Sequence, residues 1–178
     1  MKGIIFNLFE EVVAEHCGED LWDDLLQRAQ VGGAYTSLGS YPDAEIAALA
    51  TAAAASRAVT LPQVLRWLGR SAIPRLSARY PAFFVAHTSL LPLLGSLNGV
   101  IHPEVRKLYP GAVCPHFDMS ATAEGALRLG YRSARRLCHL AHGFIEGTAA
   151  YYSQGVEVRH LRCMHAGDAD CLLEVCLT

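Results

Sequence analysis

Two groups of residues in this 178-residue chain have side chains and spacings suited to chemistry. The first is Tyr131-Arg132-Ser133-Ala134-Arg135-Arg136, read together with His102 upstream. In an extended segment, residues two apart share a face, so Tyr131, Ser133 and Arg135 would converge on one ligand. A phenol, a hydroxyl and a guanidinium all donate hydrogen bonds, and the guanidinium can grip a carboxylate or phosphate with two of them. Taken alone, a Y-x-S-x-R run is more often the polar end of a strand, and a lone histidine before a proline the start of a helix. The second group is C-terminal: Cys138, then His160-x-x-Cys163, then Cys171. Three thiolates and one imidazole make a closed tetrahedral zinc site. Residues three apart on a continuous strand face opposite ways, so His160 and Cys163 share a metal only if the strand bends or ends there. The rival reading is three buried free cysteines, with His139 or His165 as alternative ligands. Cys17, Cys114 and Cys176 have no partner that spacing assigns and read as small buried residues.

The elements that must position these groups follow from periodicity. Ile4, Ile5, Leu8, Phe9, Val12 and Val13 form one helical stripe that Gly18 ends. Further helices are expected over 21–29 and 45–57. Another starts at a capping box, Thr60-Leu61-Pro62-Gln63, and runs to Tyr80. An apolar helix is expected over 82–94. Gly95 and Gly99 bracket a break before His102, which opens a short helix ending near Tyr109. The second half changes character. Strands are expected over 113–119, 125–131, 156–162 and 171–177, with a helix from about Arg135 to Tyr152 whose buried stripe includes Leu140 and Phe144. The fold class is therefore α+β, a helical front on a four-stranded antiparallel sheet with its own helix. The chain is read as a single domain, with residues 1–60 as one part and 61–178 as the other.

Composition narrows the function. Hydrophobic residues make up 52% and charged residues 18%, a globular and rather apolar balance. A net charge of −2 gives no reason to expect a nucleic-acid surface, and no apolar run reaches membrane-spanning length. The opening MKGIIFNLFEEVV lacks the longer apolar stretch and the cleavage site of a signal peptide. A cytoplasmic protein is expected, whose six cysteines are thiols or metal ligands.

Four pieces occur in a telling order: the opening MKGIIFNLFE, the H-x-x-x-x-K-L-Y of His102 to Tyr109, Pro115, and the Y-x-S-x-R of Tyr131, Ser133 and Arg135. In these, over essentially its whole length, the sequence resembles the haem nitric oxide/oxygen-binding (H-NOX) domains. The resemblance implies a haem b buried between the two parts, with His102 as the proximal ligand of ferrous iron. It also implies Tyr131, Ser133 and Arg135 on the propionates and Pro115 packed against the porphyrin. A neutral imidazole suits an axial position on iron, and propionates need charge-assisted donors to remain partly buried. His16, His87, His116, His139 and His142 have no companion motif and read as ordinary. A subset of the family carries zinc at the C-terminal positions, including the run Cys163-Met164-His165-Ala166-Gly167.

Ligand choice turns on the opposite side of the haem. Oxygen-binding members carry a tyrosine where this chain has Leu140. Ile5, Phe9, Ala72, Leu76 and Phe144 align with the same pocket and are apolar. Without a donor, oxygen is disfavoured more than nitric oxide. The expected function is a nitric oxide sensor, with carbon monoxide as a further candidate ligand, in which the His102–iron bond breaks on nitric oxide binding. Its output would pass to a separate histidine kinase or cyclic-di-GMP enzyme. The alternatives are a zinc–thiol redox sensor and a haem-dependent oxidoreductase. Against catalysis, the distal side has no acid or base, and the cysteines lack C-x-x-C spacing.

Overall fold

The computed structural model describes residues 1–123 and 125–178. The helical front comprises α1 (Gly3–Cys17), α2 (Glu19–Ala29), α3 (Asp43–Arg57) and α4 (Leu61–Arg79). The α1 stripe buries Leu8, Phe9, Val12 and Val13 against α2, α3 and α4 in one apolar cluster. The capping box forms as expected: Gln63 N–H donates to Thr60 Oγ1 at 3.4 Å, and Thr60 N–H donates back to Gln63 Oε1 at 2.8 Å.

The segment leading to His102 departs from expectation twice. The single helix expected over 82–94 is two short ones, α5 (Pro81–Val85) and α6 (Leu90–Ser96). Pro92 explains the restart. Proline is tolerated in a first turn, where its missing N–H has no intrahelical role, but breaks a helix interior. The new helix therefore begins at Leu90, whose N–H is taken by Gln154 Oε1 at 2.7 Å. The break expected at Gly95 and Gly99 is absent. The backbone instead widens into a π-helical turn, Leu97–Ile101, running straight into α7 (His102–Leu108). A π turn inserted in a helix is often found at functional sites. This one is pinned by Asn98, whose side chain donates to the Phe117 carbonyl at 2.7 Å and accepts the Phe117 N–H at 3.1 Å.

The second half holds β1 (His116–Ala121), β2 (Leu127–Arg132), α8 (Cys138–Tyr151), β3 (Val156–Arg162) and β4 (Cys171–Leu177). All pairings are antiparallel, in the order β1-β2-β4-β3. The last two strands match expectation, while β1 starts later than expected because Pro115 has no N–H for a ladder. α8 also starts later than expected. Ser133 to Arg136 forms a tight turn closed by Arg136 N–H to Ser133 O at 3.1 Å, with Arg136 at φ 53°. α8 buries Ile145 and Ala149 against the sheet, and it packs closely on α4. A Cβ on Gly69 or Gly143 would overlap the opposing backbone carbonyls of Leu140 and Arg66, so these two glycines let the helix backbones touch.

Candidate functional site: an apolar cavity and a cysteine–histidine cluster

A cavity of about 580 Å³ separates the helical front from α7 and the sheet. Ile4 and Ile5 of α1, Ile73 and Leu76 of α4, and Leu140, Ala141 and Phe144 of α8 form one wall. His102, Val105 and Leu108, followed by Pro115, Phe117 and Leu129, form the other. Phe9 and Ala72 do not line the cavity. Phe9 is fully buried inside the front, edge-on to Trp22 at 5.8 Å, and Ala72 is buried in the same cluster. The helical phase of α4 turns the neighbouring Ile73 to the cavity instead.

His102 sits at the first turn of α7, beside the ring of Phe117 with centroids 6.0 Å apart. Burial is the main reason its pKa falls to about 4, and the charges of Arg106 and His116 push the same way. Its Nδ1 is buried without a hydrogen-bond partner among the described residues. The Pro115 carbonyl is near enough to oppose the shift but is not aligned as a hydrogen bond. The imidazole is therefore neutral near pH 7, with a lone pair to give to a metal.

Tyr131, Ser133 and Arg135 all reach the cavity rim, although not by strand alternation. The strand ends at Arg132, and the following turn is what carries Arg135 inward. Tyr131 is almost fully buried and accepts the Leu137 N–H at 3.1 Å. Burial raises its phenol pKa against the opposing pull of Ser133 and Leu137, so the hydroxyl remains a proton donor. Arg135 donates from Nε to Asp43 Oδ2 at 2.9 Å and from Nη1 to the Val113 carbonyl at 2.5 Å. Asp43 also receives the Met1 ammonium at 2.6 Å. Partial burial pushes the Asp43 carboxyl up, but these two cations outweigh it and hold the pKa below 3.8. A half-buried imidazole facing an apolar cavity, with cationic and hydroxyl donors at the rim, fits a flat apolar cofactor bearing carboxylates. Sequence reasoning assigned no role to Tyr80 and Tyr109, both cavity residues whose hydroxyls contact each other. Tyr109 already ended the quoted H-x-x-x-x-K-L-Y motif, and that was the available signal.

The second site lies at the start of α8. Donor atoms of Cys138, His139, His160 and Cys163 all fall within 4.8 Å of one another. The Cys138 and Cys163 sulfurs are 3.7 Å apart, and Cys163 Sγ is 3.8 Å from His139 Nε2. The strand does bend where the shared metal requires it, with a bulge between His160 and Arg162 just before β3 ends. Cys171, fully buried on β4, lies against Cys138 and Cys163 and accepts the Met164 N–H at 3.2 Å. It stands beside the four-donor group, and His139 completes that group. His165 instead places Nε2 on the Arg136 carbonyl at 2.7 Å. Burial, then contact with Cys171 and Cys163, raises the Cys138 thiol well above its ordinary range. His160 Nδ1 is buried with no partner among the described residues. A divalent cation suits such a set, because it takes the thiols as thiolates and gives the imidazole lone pair a bond.

His142, read from sequence as ordinary, is buried here with Nδ1 3.1 Å from His160 Nε2. Glu146, one turn further along α8, is held by Arg66 of α4 through Nε at 2.7 Å and a second contact from Nη2. Burial favours the protonated carboxyl, but the Arg66 contacts and charge outweigh it and lower the Glu146 pKa.

A family model described as haem-NO-binding matches residues 2–160. Among solved structures, an H-NOX protein from Shewanella oneidensis in the Fe(II)NO ligation state is 30% identical with a TM-score of 0.93, covering 100% of this chain and 99% of that one. The Fe(II) unliganded H-NOX protein from K. algicida is 25% identical with a TM-score of 0.90, covering 100% and 97%. An oxygen-binding H-NOX domain related to soluble guanylate cyclases shares the fold at 20% identity and a TM-score of 0.82, covering 100% and 95%. No curated protein matches. Among the described residues, no single helix is long and apolar enough to cross a membrane.

Proposed function

The chain belongs to the haem-NO-binding, or H-NOX, family, whose members are haem-based gas sensors, and on that premise we propose that it senses nitric oxide and regulates a separate signalling protein. The observation that carries this reading is the cavity itself: one neutral, half-buried imidazole faces largely apolar walls, and groups able to donate to carboxylates stand at the rim. A haem held there would supply a ferrous iron able to bind a diatomic gas. His102 would give its lone pair to that iron. Tyr131, Ser133 and Arg135 donate to the propionates, and Asp43 holds Arg135 in place. Pro115, on the cavity wall, would pack against the porphyrin.

On the other wall, Ile5, Leu140 and Phe144 exclude water and offer no hydrogen bond. Dioxygen on ferrous iron would depend on such a bond far more than nitric oxide does, so the wall favours nitric oxide, and carbon monoxide, which also needs no donor, is a further candidate ligand. Cys138, His160 and Cys163 would hold a zinc ion, with Cys171 or His139 as the fourth donor. The proposed partner is a histidine kinase or a cyclic-di-GMP enzyme acting as a separate protein in the cytoplasm.

The test is the reduced, haem-loaded protein exposed to nitric oxide and, in parallel, to air, alongside His102→Gly. The expected result is a nitric oxide complex, no stable oxygen complex, and loss of haem from the variant that added imidazole restores. An oxygenated spectrum in the parent overturns the ligand assignment. Unchanged haem retention in His102→Gly overturns the role of His102.

A further inference from the structure

Resting on the metal reading of the cysteine–histidine cluster, we propose that His142 is a positioning residue for that centre. It receives the Nε2–H of His160 and, with Glu146 and Arg66, turns the His160 lone pair toward the thiols. The geometry begins with two imidazoles in contact, the buried His142 through Nδ1 and the half-buried His160 through Nε2, 3.1 Å apart. Such a contact requires one nitrogen to carry a proton and the other a lone pair. By itself the distance does not decide which.

The residues behind His142 decide it. Its Nε2 is 3.6 Å from Glu146 Oε1, a charge contact rather than a hydrogen bond, and it has no hydrogen-bond partner among the described residues. Glu146 is an anion because Arg66 grips both its oxygens. A carboxylate facing a ring nitrogen favours N–H there and repels a lone pair. His142 therefore carries its proton on Nε2 and presents a lone pair at Nδ1. His160 must then carry its proton on Nε2, which leaves the lone pair on Nδ1. That Nδ1 is the buried, unpartnered atom of the cluster. The opposite assignment would set a lone pair against a carboxylate and bury a donor N–H on His160 Nδ1, whereas this one places the His142 N–H in the field of the Glu146 carboxylate 3.6 Å away.

The chain Arg66–Glu146–His142–His160 is thus an outer shell of the kind that fixes the tautomer and ring orientation of a metal-bound histidine. Its anchoring is unusual in reach. Arg66 belongs to α4, whereas His142 and Glu146 belong to α8, so the ligand is tied across the seam where Gly143 lets the two backbones touch. Both helices also wall the large cavity, through Ile73 and Leu76 on one and Leu140 and Phe144 on the other.

The test uses the haem-loaded full chain, with zinc and cobalt(II) ions as probes. Zinc affinity is measured by chelator competition, and the cobalt(II) ligand-field and thiolate charge-transfer bands report the coordination. His142→Phe, which fills the space without accepting a proton, is expected to weaken zinc binding about 10- to 100-fold and to shift the cobalt bands. His142→Gln, which keeps an acceptor carbonyl, is expected to recover most of the affinity and the parent spectrum. Arg66→Met leaves His142 in place and removes only the far anchor on a half-exposed side chain. It is expected to give a smaller loss in the same direction, and it stands in if His142→Phe fails to fold. Zinc affinities and cobalt spectra that match the parent in the folded variants overturn the role of His142 alone. A parent that takes up no zinc overturns the metal reading, and this inference with it.

Discussion

The cavity and the cysteine–histidine cluster use different faces of the same helix, yet they are built in opposite ways. The cavity gathers side chains from α1, α4, α7, β1, β2 and α8, so its residues span most of the chain. The cluster draws its donors from 138–139, 160–163 and 171, one helix start and one hairpin. The cavity wall is apolar and works by exclusion. The cluster is polar and works by donation. They also touch: Tyr131 pairs with Cys171 across β2 and β4, and its hydroxyl takes the N–H of Leu137, the residue before Cys138. The difference teaches that a site made of neighbouring residues is legible as spacing, whereas a site made of distant ones is legible only as isolated motifs.

The strongest way to break the contrast is to disturb the helix that both sites share. Gly143→Ala puts a methyl group against the Arg66 carbonyl on α4, and overpacking of this kind costs about 1–3 kcal/mol. A lower melting temperature is expected, with haem retention and zinc affinity falling together. If only one of the two falls, the sites are mechanically separate despite sharing α8.

A sharper contrast comes from two arginines three positions apart. Arg135, with a side chain 18% exposed, lies at the cavity rim, whereas Arg132, 78% exposed, reaches only toward Asp170. Arg135→Ala is expected to speed haem transfer to an acceptor protein about tenfold or more, the scale of one lost charge-assisted contact. Arg132→Ala is expected to change it little, and neither should alter zinc content. Equal rates in the two variants would remove Arg135 from the rim.

The smallest expected effect concerns acid. The folded Asp43 carboxyl has a pKa below its ordinary 3.8, so its contribution is fully present above that value and is lost as pH falls through the folded pKa. Asp43→Asn is therefore expected to lose stability at neutral pH and to show a flatter decline below about pH 4. Melting curves across pH 2–7 would check this, and parallel curves for parent and variant would show that Asp43 couples to neither cation. At any one pH the zinc affinity of Asp43→Asn should match the parent's, because Asp43 stands at the cavity rim and away from the cluster.

The sequence by itself determined what local rules govern. The stripe of α1, the Thr60 capping box, the strands at 156–162 and 171–177, and the choice of His102, Tyr131, Ser133 and Arg135 all follow from periodicity, hydrogen-bonding types or motif order. Spacing also singled out Cys138, His160 and Cys163, and it required the bend that the bulge after His160 supplies. Only the tertiary structure decided the rest. Gly95 and Gly99 signal a break locally, but Asn98 bonding to Phe117 holds the backbone in a continuous π turn that delivers His102. Alternation explained why Arg135 would face Tyr131, but a turn at Ser133 to Arg136 is what places it. Phe9 has the same apolar character as Ile5, yet helical rotation buries it in the front and leaves Ile5 at the cavity. His142 had no motif at all, because its meaning lies in partners 18 residues ahead on β3 and, through Glu146, 80 residues back on α4. Hydrogen-bond partners far apart in sequence leave no periodic trace, and only the folded chain brings their atoms within reach of each other.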